Sequence, residues 1–147
     1  MLAEEDNSPV AIVREVLLKR GWIDLPSYGT SMYPLIREGD ICRFSSCNSS
    51  KLKNMDIILF YTPSNRFVAH RLIQIDKTRY FCKGDGNLGF DPPIDQSHIL
   101  GKLISIKRND KKIDSNNLSF RVWGHFVQAV PVMSTFIRMY LKRKTSA

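Results

Sequence analysis

Short apolar runs, each closed by turn-forming residues, constrain the fold of this chain more than any other feature. Ile41–Phe44, Asp56–Tyr61, Phe67–Ile75, Arg79–Lys83 and Leu100–Lys107 read as strands. Around them stand Glu38-Gly39-Asp40, Thr62-Pro63-Ser64-Asn65, Gly84-Asp85-Gly86-Asn87 and Asn109-Asp110, residues that favour turns through positive φ, fixed φ or side-chain bonds to their own backbone. Ile57–Tyr61 and Phe67–Ile75 flank a short Pro/Ser/Asn loop and predict a hairpin. The stretch from Asn87 to Ser97 has no clear periodicity and contains Pro92-Pro93, so it is expected to be a surface excursion.

Helical signals are confined to the two ends. Ser8-Pro9 precedes Val10, Ile12, Val13, Val16 and Leu17, and Gly21 follows. A serine cap, a proline at the first helical position and a glycine stop predict an amphipathic helix over 8–21. Beyond Leu118, Val122–Leu141 returns to helical character, with Pro131 as an interruption and a basic tail behind it. The expected fold is a mainly β (α+β) single domain over 1–147. Its β core spans 26–107, with one helix before it and a helical segment over 118–144.

A chain of 147 residues with 43% hydrophobic and 24% charged side chains suits one compact, globular domain. Its formal charge of +8 suits nucleic acid, anionic lipid or an acidic peptide as partner. That charge is partly local, because Arg138, Lys142, Arg143 and Lys144 crowd the C-terminus, and such blocks are usually solvated tails. The three cysteines, Cys42, Cys47 and Cys82, form no CxxC pair, which argues against a disulfide framework and a zinc site. Cys42 and Cys82 lie in strand-like runs and read as buried thiols in a reducing, cytoplasmic setting. The acidic start, Met1-Leu2-Ala3-Glu4-Glu5-Asp6, is unlike a secretory signal. Nowhere do about 20 uninterrupted apolar residues occur, the length a spanning helix needs. Trp123–Leu141 with its basic tail has two readings, a helix packed on the β domain and a peripheral contact with an anionic membrane.

A hydroxyl nucleophile needs a base, a group that orients the base and amides that hold the oxyanion. Ser31 sits in Gly29-Thr30-Ser31-Met32-Tyr33-Pro34, where Gly29 permits tight geometry and Pro34 stiffens the exit. A lone serine in such a turn is far more often structural. His70 lies in the strand-like run Phe67–Ile73, so His70 and Arg71 point to opposite faces. A neutral imidazole is a competent base at ordinary pH. His98 and His125 lack comparable neighbours. The acid is expected from Lys83–Asp91, which holds Asp85 and Asp91. The spacing of Asp85, Asn87 and Asp91 also invites a calcium loop, but Gly89, Phe90 and Gln96 occupy the places where an EF-hand loop has Asp or Asn, Gly and Glu. No metal or other cofactor is expected.

In order and spacing these segments resemble the signal peptidase family, in its branch with histidine as base. The matching pieces are Gly29–Pro34 with Gly39-Asp40, then Asp56–Phe60, then Val68–Ile73, then Lys83–Asn87 with Asp91, then Ile99–Leu103. They cover about residues 26–107. The resemblance implies Ser31 as nucleophile, His70 as general base, Asp91 as the acid that orients it and Asp85 as a second acid close to the site. It implies the Ser31 N–H as one oxyanion donor, with Thr30 or another amide as the second, since Gly29 stands where lysine-type relatives carry a serine. It departs from the family's exported-protein peptidases in having no spanning helix. Asp91-Pro92-Pro93 and the short N-terminal helix are closer to the small soluble relatives associated with modified-peptide biosynthesis, whose substrate is a leader or precursor peptide.

The function expected is therefore a serine endopeptidase acting on a peptide or precursor protein, with a non-catalytic peptide-binding module on the same fold as the alternative. A nucleic-acid partner is not expected. Self-cleaving repressors of this fold use a serine–lysine pair and carry a helix-turn-helix domain, for which the residues before the β region leave no room.

Overall fold

The computed structural model describes residues 6–129 and 132–146. The acidic start Met1–Glu5 and the Pro131 interruption lie outside the described residues. The chain begins with α1 (Pro9–Arg20), whose ends are those its sequence predicts. Ser8 Oγ accepts the Ala11 N–H at 3.2 Å, and Gly21, at φ 81°, returns its N–H to the Leu17 carbonyl at 2.9 Å. Glycine takes this left-handed conformation without the steric cost of a Cβ.

Eight strands follow: β1 (Trp22–Pro26), β2 (Ile41–Ser45), β3 (Ile57–Tyr61), β4 (Phe67–Asp76), β5 (Arg79–Lys83), β6 (Ile94–Asp95), β7 (Ile99–Arg108) and β8 (Lys111–Asp114). Two helices, α2 (Leu118–Ala129) and α3 (Val132–Ser146), close the chain. All pairings are antiparallel, in the order β1-β2-β7-β3-β4-β5-β6, with β8 paired to the far end of β7. The sheet curls as a half-barrel. Register shifts at Arg43/Phe44, Leu59/Phe60 and Leu72/Gln74 mark the irregularities where such a sheet bends. The protein is thus α+β and mostly β.

Core packing follows from strand alternation. Ile57 and Leu59 of β3 join α1, β2 and β7 side chains in one apolar cluster that includes Val13, Leu17, Phe44, Leu103 and Ile106. Ile58 and Phe60, on the opposite face, pack with Leu72, Tyr80, Cys82 and Ile94. A strand buried on both faces must be central, and β3 reads as a continuous apolar run for that reason. Burial pushes the Cys42 and Cys82 thiols up to about 12, with Asp40 and Asp91 respectively adding to the shift.

Three strands lie beyond the runs legible as strands. β1 carries Pro26, β6 has two residues, and β8 is Lys-Lys-Ile-Asp. Their own patterns are weak, and they exist because β2, β5 and β7 present edges for them. The excursion expected over Asn87–Ser97 therefore contains β6, and the sheet runs from residue 22 to residue 114. Among the described residues no helix is long and apolar enough to cross a membrane.

Candidate active site

Ser31 is held by a stapled loop between β1 and β2. At the base of the loop the Ser27 N–H bonds the Asp40 carbonyl (2.8 Å) and the Gly39 N–H bonds the Ser27 carbonyl (3.0 Å). Met32 and Ile36 are buried in the core on either side of the loop's inner turn. Asp40, also buried, accepts from the Arg37 N–H (2.8 Å) and from Arg108 Nε and Nη2 (2.9 and 2.6 Å), while Arg108 Nη2 also reaches the Leu35 carbonyl at 3.0 Å. The ion pair holds the Arg108 guanidinium above its ordinary pKa, chiefly through its hydrogen bond to Asp40. This strut joins residues 68 positions apart, and nothing in the local pattern around Arg108 marks it.

His70 stands in β4 opposite Ile58 of β3, with its ring edge-on to Phe60 at 6.2 Å. Its Nε2 lies 2.9 Å from Ser31 Oγ, and its Nδ1 lies 2.5 Å from Asp91 Oδ2. An ionised carboxylate can only accept, so Nδ1 carries the proton and the Nε2 lone pair faces the serine hydroxyl. Asp91 reaches this position because the loop after β5 folds back on itself. Its N–H bonds the Cys82 carbonyl (2.8 Å), closing the segment from 82 to 91.

The same loop touches the serine from behind. The Gly86 N–H donates to the Ser31 carbonyl at 2.9 Å. Gly84 sits so close that a Cβ there would come within 2.8 Å of that carbonyl oxygen. The Ser31 carbonyl is therefore pinned from one side. Among the described residues the Ser31 N–H donates to no acceptor, which leaves it free beside the hydroxyl.

Asp85 does not join this group. Its carboxylate takes Arg71 Nε and Nη2 at 2.8 and 2.7 Å and Trp123 Nε1 at 3.2 Å, and its carbonyl accepts from Ser134 Oγ at 3.0 Å. Both side chains of the Arg71–Asp85 pair are essentially inaccessible, at 3% and 0%. The second acid expected close to the site thus spends its carboxylate on Arg71 and Trp123, while Asp91 is the carboxylate that meets His70. Alternation along β4 sends His70 and Arg71 to opposite faces, and Asp85 follows Arg71.

Neither remaining histidine forms a similar arrangement. His98 Nδ1 meets both Asp95 Oδ1 (3.1 Å) and Ser97 Oγ (3.4 Å), so one nitrogen serves both partners in a local turn. His125 lines a separate cavity of about 300 Å³. Among the described residues no cluster of three or more His, Cys, Asp or Glu side chains could hold a metal ion.

Ser31, His70 and Asp91 line a cleft of about 950 Å³. Its walls come from the end of β1, the Phe67–Ala69 stretch of β4, the loop 86–91 and the α3 residues Arg138 and Leu141. β5 begins its pairing with β4 at Arg71, so Phe67–Ala69 has a strand partner on the β3 side alone among the described residues. An extended segment laid in the cleft would meet that bare edge immediately before His70. No family model, curated protein or solved structure matches the chain.

Proposed function

We propose that this protein is a serine endopeptidase, with Ser31 as nucleophile, His70 as general base and Asp91 as the residue that orients the imidazole. The observation that carries the reading is the chain Asp91 Oδ2–His70 Nδ1 (2.5 Å) and His70 Nε2–Ser31 Oγ (2.9 Å), opening on a cleft beside an unpaired strand edge. A peptide would lie extended on Phe67–Ala69, gaining main-chain hydrogen bonds there and side-chain selection from the cleft. By resemblance to signal peptidases, the residue before the scissile bond would be small, and the substrate a leader-like or precursor peptide.

His70 Nε2 takes the Ser31 Oγ proton as Oγ attacks the scissile carbonyl carbon. The Ser31 N–H would receive the negative charge that develops on the carbonyl oxygen. The C–N bond breaks as the imidazolium returns the proton to the leaving amine, leaving an ester on Ser31. Water, deprotonated by His70, then cleaves that ester and restores the hydroxyl. Asp91 accepts from Nδ1–H throughout and stabilises the imidazolium.

Covalent capture tests the reading. A serine-directed phosphonate is expected to add to the wild-type chain at Ser31, to fail with Ser31→Ala and to slow sharply with His70→Ala. Equal labelling of wild type and Ser31→Ala would remove Ser31 as nucleophile. A wild-type chain that binds a peptide in the cleft yet neither labels nor cuts would make the protein a peptide-binding module instead.

A further inference from the structure

We infer that α2 and α3 form a docking face for an anionic membrane surface. The last 33 residues, Ser115–Ala147, contain no aspartate or glutamate and five arginines and lysines. All five, Arg121, Arg138, Lys142, Arg143 and Lys144, are exposed. On the same two helices, Leu118, Val122 and Phe126 fall at four-residue spacing along α2, and Val132, Phe136 and Met139 form a second row on α3. These six side chains are 47–71% exposed. Single exposed apolar residues are ordinary, but rows of them on adjacent elements mark a surface that is covered in use.

The rows are not unfinished core. Each helix already buries another face: Phe120, Gly124 and Val127 in α2, Ser134 and Ile137 in α3. Trp123 and Ser134 fasten both helices to Asp85, so the outward rows belong to anchored elements. With 12 and 15 residues the helices are about 18 and 22 Å long, short of the ~30 Å hydrocarbon core. Lying in the interface is the geometry open to them. Apolar side chains then enter the lipid boundary while arginine and lysine meet the headgroups. The charge selects the partner: two cationic helices that contribute no aspartate or glutamate repel a second copy of themselves and complement anionic lipid. The inference stands whether or not Ser31 is a nucleophile.

Flotation of the full chain with vesicles tests it. Binding is expected with vesicles of mixed phosphatidylglycerol and phosphatidylcholine, not with phosphatidylcholine alone, and is expected to fall in high salt. Lys142→Glu/Arg143→Glu/Lys144→Glu should weaken partition by roughly 100-fold or more. Phe126→Ser/Phe136→Ser should weaken it at least ~10-fold, with thermal unfolding and Ser31 labelling unchanged. Salt dependence of the wild type reads the same face without any substitution. Equal binding to neutral vesicles, no flotation, or retention by the charge variant would each overturn the inference. So would a concentration-dependent dimer abolished by Phe126→Ser, which gives the face to a second copy. Binding to RNA that ignores the phenylalanines would give it to nucleic acid.

Discussion

Strand β4 carries two charged networks on its two faces, and they use nearly the same parts. His70 reaches Asp91 and Ser31; one residue later, Arg71 reaches Asp85, the Met55 carbonyl and, through Asp85, Trp123. Both aspartates come from the loop after β5. The difference lies in saturation and access. Asp85 accepts from Arg71 and Trp123 beneath two helices with no exposed surface. The His70–Asp91 pair keeps 9% and 22% exposure and ends on a hydroxyl that faces a cleft. A saturated buried pair fixes geometry; an unsaturated chain that ends at a cavity can pass a proton on. The first side is therefore expected to fail by unfolding, and the second by losing chemistry in an intact fold.

The largest effect tests the open side. Ser31→Ala or His70→Ala should each lower the rate of peptide cleavage by on the order of 10⁶-fold, since members of a proton-transfer unit fail together. The urea midpoint should barely move. Asp91→Asn comes next, at about 10⁴-fold, because an amide facing Nδ1 favours the tautomer that points a proton at the serine. If Asp91→Asn cost stability and left the rate alone, Asp91 would belong with Asp85 and the two faces would not differ in kind.

The closed side should answer in the other currency. Arg71→Met alone leaves a buried carboxylate with Trp123 as its remaining side-chain donor, and Asp85→Leu alone strands a buried guanidinium. Each is expected to cost about 3–5 kcal/mol in denaturant unfolding. The double variant should cost distinctly less than the sum, since it removes the pair and leaves no unpaired charge. Additive losses would mean that Arg71 and Asp85 contribute independently, for example through the packing of Gly124 against the guanidinium, where a Cβ would collide. Labelling at Ser31 should survive in whatever fraction stays folded.

How much of this contrast was legible before the structure depends on the range of each interaction. Strand alternation alone separates His70 from Arg71, because period two is local and needs no partner. Hydrophobic runs and turn residues delimit β2 to β5, β7 and both caps of α1 for the same reason. The loop after β5 defeats such reasoning. Asp85 and Asp91 lie six residues apart in a segment without periodicity, and only the Asp91 N–H bond to Cys82 and the Gly86 N–H bond to Ser31 decide which carboxylate faces which side. The Arg108–Asp40 strut and the Trp123 bond to Asp85 span 68 and 38 residues, and neither leaves a mark on its neighbours in sequence. β1, β6 and β8 are likewise products of their partners' edges rather than of their own composition.

The smallest effect sharpens the comparison at the joint between the two faces. Lys83 ends β5 and starts the loop that carries both aspartates; its Nζ donates to Ser134 Oγ at 3.2 Å, on the closed side. Partial burial lowers its pKa below the ordinary lysine value of 10.5, and attraction to Asp85 offsets part of that shift. Between the lowered value and 10.5 the unfolded chain binds more protons than the folded one, so stability from this group rises as pH climbs through that window. Below it the full cost of holding the cation is present. Lys83→Met should therefore unfold at a slightly higher urea concentration than wild type at pH 7, and the gap should close toward pH 10. Other lysines and tyrosines titrate in the same range, but they titrate in both chains and cancel in the difference. A gap that widens with pH would mean that the pull of Asp85 outweighs desolvation. The closed side would then hold a net attractive triad of Lys83, Arg71 and Asp85 in place of a saturated pair with a strained neighbour.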